Sequence, residues 1–126
     1  MKNYILALSL LLFGSLAGAT TVTVTWSPPT QNTDDSAIPA SGAGSLKTYR
    51  IEYGTCSAPG VFAVKAGEVT RTAPASSTVL NLNPGTTCVR VFVANTYDVE
   101  SDASNVATSV VPFPRPKAPT QTSATP

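Results

Sequence analysis

The sequence predicts a β-sandwich of six or seven short antiparallel strands. Three observations lead there. Short stretches of polar–apolar alternation recur, rich in Val, Thr and aromatic residues, as half-buried strands require. Turns containing Pro and Gly separate them. No stretch beyond residue 19 shows helical periodicity over ten or more residues. Strands at this spacing, with nothing helical between them, stack as two sheets over one core.

Residues 1–19 read as a secretion signal. Lys2 gives a positive start, residues 4–12 are apolar, and Ala17-Gly18-Ala19 supplies a small-x-small cleavage pattern, so the cut is expected after Ala19. The competing reading is an uncleaved anchor helix, for which the apolar stretch is short. No Cys stands where a lipid anchor would be attached. The domain is then expected over residues 20–112.

Its first strand is Thr21-Val22-Thr23-Val24-Thr25-Trp26, closed by Pro28-Pro29, which cannot extend a sheet. Residues 30–45 have loop composition. The run 48–53 puts Tyr49, Ile51 and Tyr53 on one face and Arg50 and Glu52 on the other. Gly54 and Ala58-Pro59-Gly60 end it. Shorter strands are expected at 61–65 and 69–72. A turn over 74–77 leads to a strand at 78–82, and Asn83-Pro84-Gly85 turns the chain again. Residues 89–94 form the most apolar strand, 95–104 a polar loop, and 105–111 the last strand. Residues 113–126, with their prolines and little to bury, are expected to be an extended, mobile tail.

The composition narrows the function. Charged residues make up 12% of the chain, against roughly 25% in an average soluble domain. Removing the segment with Lys2 leaves seven basic residues facing seven acidic ones. A neutral chain without a basic run is a poor match for nucleic acid. There is no His, so a Ser/His/Asp or Cys/His arrangement cannot form and the commonest metal ligand is missing. An enzyme is therefore not expected, nor a cofactor. Export would place Cys56 and Cys88 in an oxidising compartment, where two cysteines allow a single internal pairing. Two free thiols are the other reading.

Four motifs, in order, resemble a fibronectin type III domain over residues 21–111. Val22-x-Val24-x-Trp26-x-Pro28-Pro29 resembles the family's second strand and Tyr49-x-Ile51-x-Tyr53 its third. Leu82-x-Pro84-Gly85-Thr86 resembles the turn before the sixth strand. Phe92-x-Ala94-Asn95 and Glu100-Ser101-x-x-Ser104-Asn105 resemble that strand and the approach to the last. The resemblance implies an immunoglobulin-like sandwich and leaves the function open, because this scaffold serves many tasks.

Three departures from the family pattern carry expectations. Where the family has a tyrosine whose hydroxyl pins the turn, this chain has Cys88. The third and sixth strands are antiparallel neighbours in the family, so a Cys56–Cys88 bridge could replace that pin. The family register puts Cys88, Arg90, Phe92 and Ala94 inside, which would expose Val89, Val91 and Val93 as a contact stripe; the alternative is a bulge that corrects the phase. Finally, the family's first strand should precede Thr21, where this chain carries its signal. Cleavage would leave that edge strand missing. Either a smaller sandwich is tolerated, or the proline-rich tail or a strand from another subunit fills the gap.

Two candidate sites follow. Asp98, Glu100 and Asp102 in one loop, with Asp34 and Asp35 in another at the same end of the resembled fold, could offer oxygen ligands to Ca²⁺; a solvated polar loop is the plainer reading. The same two loops, 32–44 and 95–102, are long, polar and expected to be flexible, with Tyr97 as an aromatic anchor for a partner. The expected role is a secreted, non-catalytic binding or adhesion module that contacts protein or carbohydrate and does not insert stably into membranes. The alternative is a structural subunit of a surface or virion assembly, self-associating through an open sheet edge.

Overall fold

In a computed structural model, the structure describes the backbone of residues 7–13 and all of residues 19–120. The described residues form seven strands: β1 (Ala7–Phe13), β2 (Thr20–Ser27), β3 (Leu46–Ala58), β4 (Val61–Thr72), β5 (Ser77–Leu82), β6 (Gly85–Asn95) and β7 (Ala107–Val111). Among the described residues there is no helix. One sheet is built on β2 and β5, with β1 along the free side of β2; the other has the order β4-β3-β6-β7. All neighbours are antiparallel. The all-β, two-sheet architecture expected from the alternation is what the chain forms.

The core lies between the sheets. Val22, Val24, Trp26, Leu80 and Leu82 come from one side, and Tyr49, Ile51, Val89, Val91, Val93 and Val111 from the other. In β2 the inward residues are Val22, Val24 and Trp26, while the threonines between them point out. The Trp26 and Tyr49 rings pack with centroids 5.1 Å apart at 41°. The indole Nε1 is buried without a well-formed hydrogen bond. Burial pushes the Tyr49 hydroxyl up, and the nearby indole opposes this only in part.

The register of β6 against β3 corrects one expectation. Tyr49 lies opposite Val93, Ile51 opposite Val91 and Tyr53 opposite Val89. Val89 and Val91 are fully buried and Val93 nearly so. The three valines are core rather than an exposed stripe, and Arg90 faces outward. No bulge is needed: pairing runs without a shift from Thr48–Ala94 to Gly54–Cys88. A phase carried over from the family pattern was one residue out, and one residue reverses every side chain.

Two further differences concern β3 and β4. Residues 61–65 and 69–72 belong to one strand, and β3 runs on through Cys56 to Ala58. Register shifts at Tyr53/Gly54, Gly54/Cys56 and Cys56/Ala58 bend the hairpin tip. The tip folds back over the outer face of its own sheet. Gly60 N donates to Thr108 Oγ1 on β7 at 3.1 Å, and the Phe62 ring lies under the Arg90 guanidinium at 4.0 Å. Gly54 permits the crossing. A Cβ there would meet the Val64 carbonyl carbon at 2.8 Å and Lys65 Cα at 2.9 Å. The Cys56–Cys88 disulfide, with Cα atoms 5.4 Å apart, ties the tip to β6.

The edge strand expected to be missing is present in the uncleaved chain. β1 pairs with β2 from Ala7–Ser27 to Phe13–Thr21. The remainder of the signal reading, residues 1–6 and 14–18, lies outside the described residues. Residues 112–120 are exposed and belong to no strand; the end of the expected tail, 121–126, also lies outside the described residues.

Candidate functional site

The two polar loops singled out in the sequence meet at one end of the molecule. The first, residues 30–45, is a small folded unit. Ile38 N donates to Thr30 O at 3.0 Å and Asn32 N to Ser36 O at 2.8 Å, around a bridge between Gln31 and Ala37. Asp34 Oδ1 accepts from Ser36 N at 3.0 Å and from Ser36 Oγ at 2.5 Å. The Ser36 hydroxyl first, then its amide, holds the exposed Asp34 carboxyl below its ordinary range.

The second loop is organised by Asn95 and two serines. Asn95 Oδ1 accepts from Tyr97 N at 2.9 Å and Val99 N at 3.1 Å, the local capping that Asx side chains favour. Asp98 follows with φ at +60°. Beyond the turn the chain lies along β6. Ser101 N donates to Val93 O and Ser104 N to Val91 O, each at 2.8 Å. The serine hydroxyls return the bonds, accepting from Val93 N at 3.0 Å and Val91 N at 2.9 Å. Ser101 and Ser104 thus stand in for a strand partner. The loops also hold one another: Thr96 N donates to Ser45 O at 3.0 Å, and Gly44 N to Thr96 Oγ1 at 2.6 Å. Both loops thus carry internal hydrogen bonds and are joined to one another.

Two adjoining clefts open there. The larger, of about 350 Å³, is lined by Pro28, Pro29, Pro39, Pro74, Ile38 and Tyr49, among others. The smaller, of about 190 Å³, presents Gln31, Asn32, Asn95, Glu100, Ser101 and Asp102. Pro29, Ile38 and Leu46 border both. One is therefore mainly apolar, and the other carries amides, carboxylates and a hydroxyl. Sequence reasoning located the loops but missed Ile38 and the prolines. Their signal was a lone isoleucine before Pro39 within an otherwise polar stretch.

The candidate residues are distributed as follows. Tyr97 is 67% exposed, with its ring edge above Gly44. Glu100 and Asp102 border the polar cleft. The five carboxylates do not converge. Asp98 pairs with Lys47 at 2.9 Å, Glu100 with Arg50, and Asp34 with Ser36. Among the described residues no group of three metal-ligating side chains is gathered. Val89, Val91 and Val93 are withdrawn into the core.

The sequence reading also missed an ionic cluster on the outer face of the four-stranded sheet. Cross-strand pairing sets Glu52 opposite Arg90 and Arg50 opposite Phe92. Glu52, with its side chain 6% exposed, binds Arg50 and accepts from Arg90 Nε at 2.9 Å. Lys65 and Glu68 from β4 join it, and Arg50 reaches Glu100 through two bonds of 2.6 and 3.1 Å. The guanidinium of Arg50 lies 4.2 Å above the Phe92 ring. Three cations face three anions. Burial pushes the Glu52 carboxyl up, but the Arg90 hydrogen bond and the charges of Arg50 and Arg90 outweigh it and hold it below its ordinary value. The Glu100 hydrogen bond leads in keeping Arg50 protonated. Every charge has a partner, so the cluster acts as a brace for the folded-over tip.

Set against known proteins, the chain matches no family model and no curated protein.

Proposed function

We propose that the chain is an exported, non-catalytic binding module of fibronectin type III-like build, and that the loop end of the sandwich holds its protein or carbohydrate partner. The observation that carries this reading is the pair of adjoining clefts at this end, the polar one between the two loops and the apolar one between the first loop and Ala73-Pro74. A preformed concave site with an apolar wall and a few polar groups suits ligand capture. Gln31, Asn32, Asn95 and Asp102 offer the donors and acceptors that sugar hydroxyls or peptide groups need. Tyr97 beside them adds an exposed ring. The strand order β4-β3-β6-β7 and the four motifs support the family resemblance. The buried disulfide is compatible with an oxidising compartment.

The test is a glycan and peptide array screen followed by titration of the hits. Ile38→Asp and Asp102→Ala are expected to weaken binding at least about tenfold, the loss of roughly 1.4 kcal/mol. Val79→Lys, on the exposed face of β5, should leave it unchanged. Binding indifferent to both cleft variants would move the site elsewhere.

A second reading, a structural subunit that self-associates through a sheet edge, is favoured by one observation: β2 is covered by a segment that export would remove.

A further inference from the structure

β2 has two neighbours. β5 pairs along one side from Thr20–Leu82 to Thr25–Ser77. β1 pairs along the other from Phe13–Thr21 to Ala7–Ser27. The segment supplying β1 is also the apolar centre of the expected export signal. Cleavage after Ala19 and coverage of β2 by Ala7–Phe13 cannot coexist in one molecule. Once that segment is gone, one side of β2 presents a row of unpaired N–H and C=O groups.

Edge strands usually carry devices that block pairing: charges, prolines, bulges or short length. The other edges here have them. β4 bears Lys65, Glu68 and Arg71 and bulges at its tip. β5 and β7 are six and five residues long. β2 has none of these. Thr20–Ser27 contains no charge and no proline, and no register shift interrupts its ladder with either neighbour.

We propose that export exposes this side of β2 and that it pairs there with the same strand of a second copy, antiparallel about a two-fold axis, giving a closed dimer. This rests on the subunit reading above and names its partner. Several observations favour a second copy. β1 already occupies the edge in the antiparallel sense. An isologous pair sets like face against like face, so Val22, Val24 and Trp26 stay inward and the outward threonines meet threonine-bearing positions. With Lys2 removed, seven basic and seven acidic residues remain, so no net charge opposes association. A two-fold pair uses up both open edges and stops at two.

The test begins with the exported product of the full chain. Intact mass reports whether residues 1–19 are lost, and native mass spectrometry with sedimentation reports assembly. A cleaved product at twice the monomer mass is expected. Thr23→Lys, on the outward face of β2, should return it to the monomer while the near-ultraviolet signal of Trp26 persists. Mixing Thr23→Lys with Thr23→Glu should restore the double mass. A cleaved product that stays monomeric at high micromolar concentration overturns both the pair and the subunit reading. An open ladder of oligomers keeps the subunit reading and overturns the closed pair, as does a dimer indifferent to Thr23→Lys. If the segment is retained, Leu11→Pro in the full chain, which removes the β1 ladder donor opposite Thr23, is expected to convert monomer to dimer; a monomeric Leu11→Pro protein overturns the proposal.

Discussion

The outer face of the four-stranded sheet and the outer edge of β2 are protected in opposite ways. Over the sheet face lie a bent hairpin tip, a disulfide, three guanidinium–ring contacts and six charged side chains joined in one cluster. Along the β2 edge runs a backbone ladder to a seven-residue segment. The chain is poor in charge, and it places three of its eight cations and three of its seven anions on that one face. The contrast teaches that the cross-link and the charge pairs gather on the sheet face, whereas the β2 edge is covered through a backbone ladder.

The sharpest way to break the comparison is to reverse the faces of β6. Val91→Lys puts an ammonium between the sheets, where Arg90 one residue earlier is tolerated because it points out. A loss of about 4 kcal/mol or more is expected in denaturant titration. A mild effect would mean that the valines are a surface after all.

Removing the covalent tie comes next. Cys56→Ser with Cys88→Ser opens a loop of 32 residues and should cost about 3–4 kcal/mol on the chain-entropy account. Calorimetry should show the whole domain weakened, because β3 and β6 share one ladder. Gly54→Ala attacks the same tip without touching the bridge. Its methyl group would press on the Val64 carbonyl, and a loss of about 2–3 kcal/mol is expected.

The ionic brace should be next in size. Glu52→Gln leaves Arg50 and Arg90 without their shared anion, with about 2 kcal/mol lost near neutral pH. It also sets the acid limb. A carboxyl held below its ordinary value when folded binds protons more readily when unfolded, so it stabilises above about pH 4.3 and that support disappears as pH falls through the folded value. The wild-type midpoint should therefore drop on acidification below about pH 4, and Glu52→Gln should flatten that drop. An unchanged acid limb would show that the cluster contributes little. The smallest stability effect belongs to Thr23→Lys in the full chain, within about 0.5 kcal/mol; a large one would show that the outward face of β2 is buried.

Much of the fold was legible from residue periodicity. Strands were expected at 21–26, 48–53, 78–82 and 89–94, and each lies within a strand of the structure. The joining of 61–65 to 69–72 was not, because Ala66-Gly67 reads as a break. In the sheet Gly67 lies opposite Tyr53, whose ring occupies the space a side chain would need. At the candidate site the two loops were legible from composition. Their closure was not, because it depends on single bonds such as Gly44 N to Thr96 Oγ1 between residues 52 apart.

By itself the sequence determined an all-β chain with one pair of cysteines, an apolar N-terminal stretch and the Val–Thr alternation of β2, since these follow from short-range pattern. Only the tertiary structure decided which face of β6 is dry, that Glu52 and Arg90 meet, and that Ala7–Phe13 completes a sheet. The reason is the period of two. Alternation states that two faces differ, but which one is buried depends on the strands alongside, and those come from distant parts of the chain.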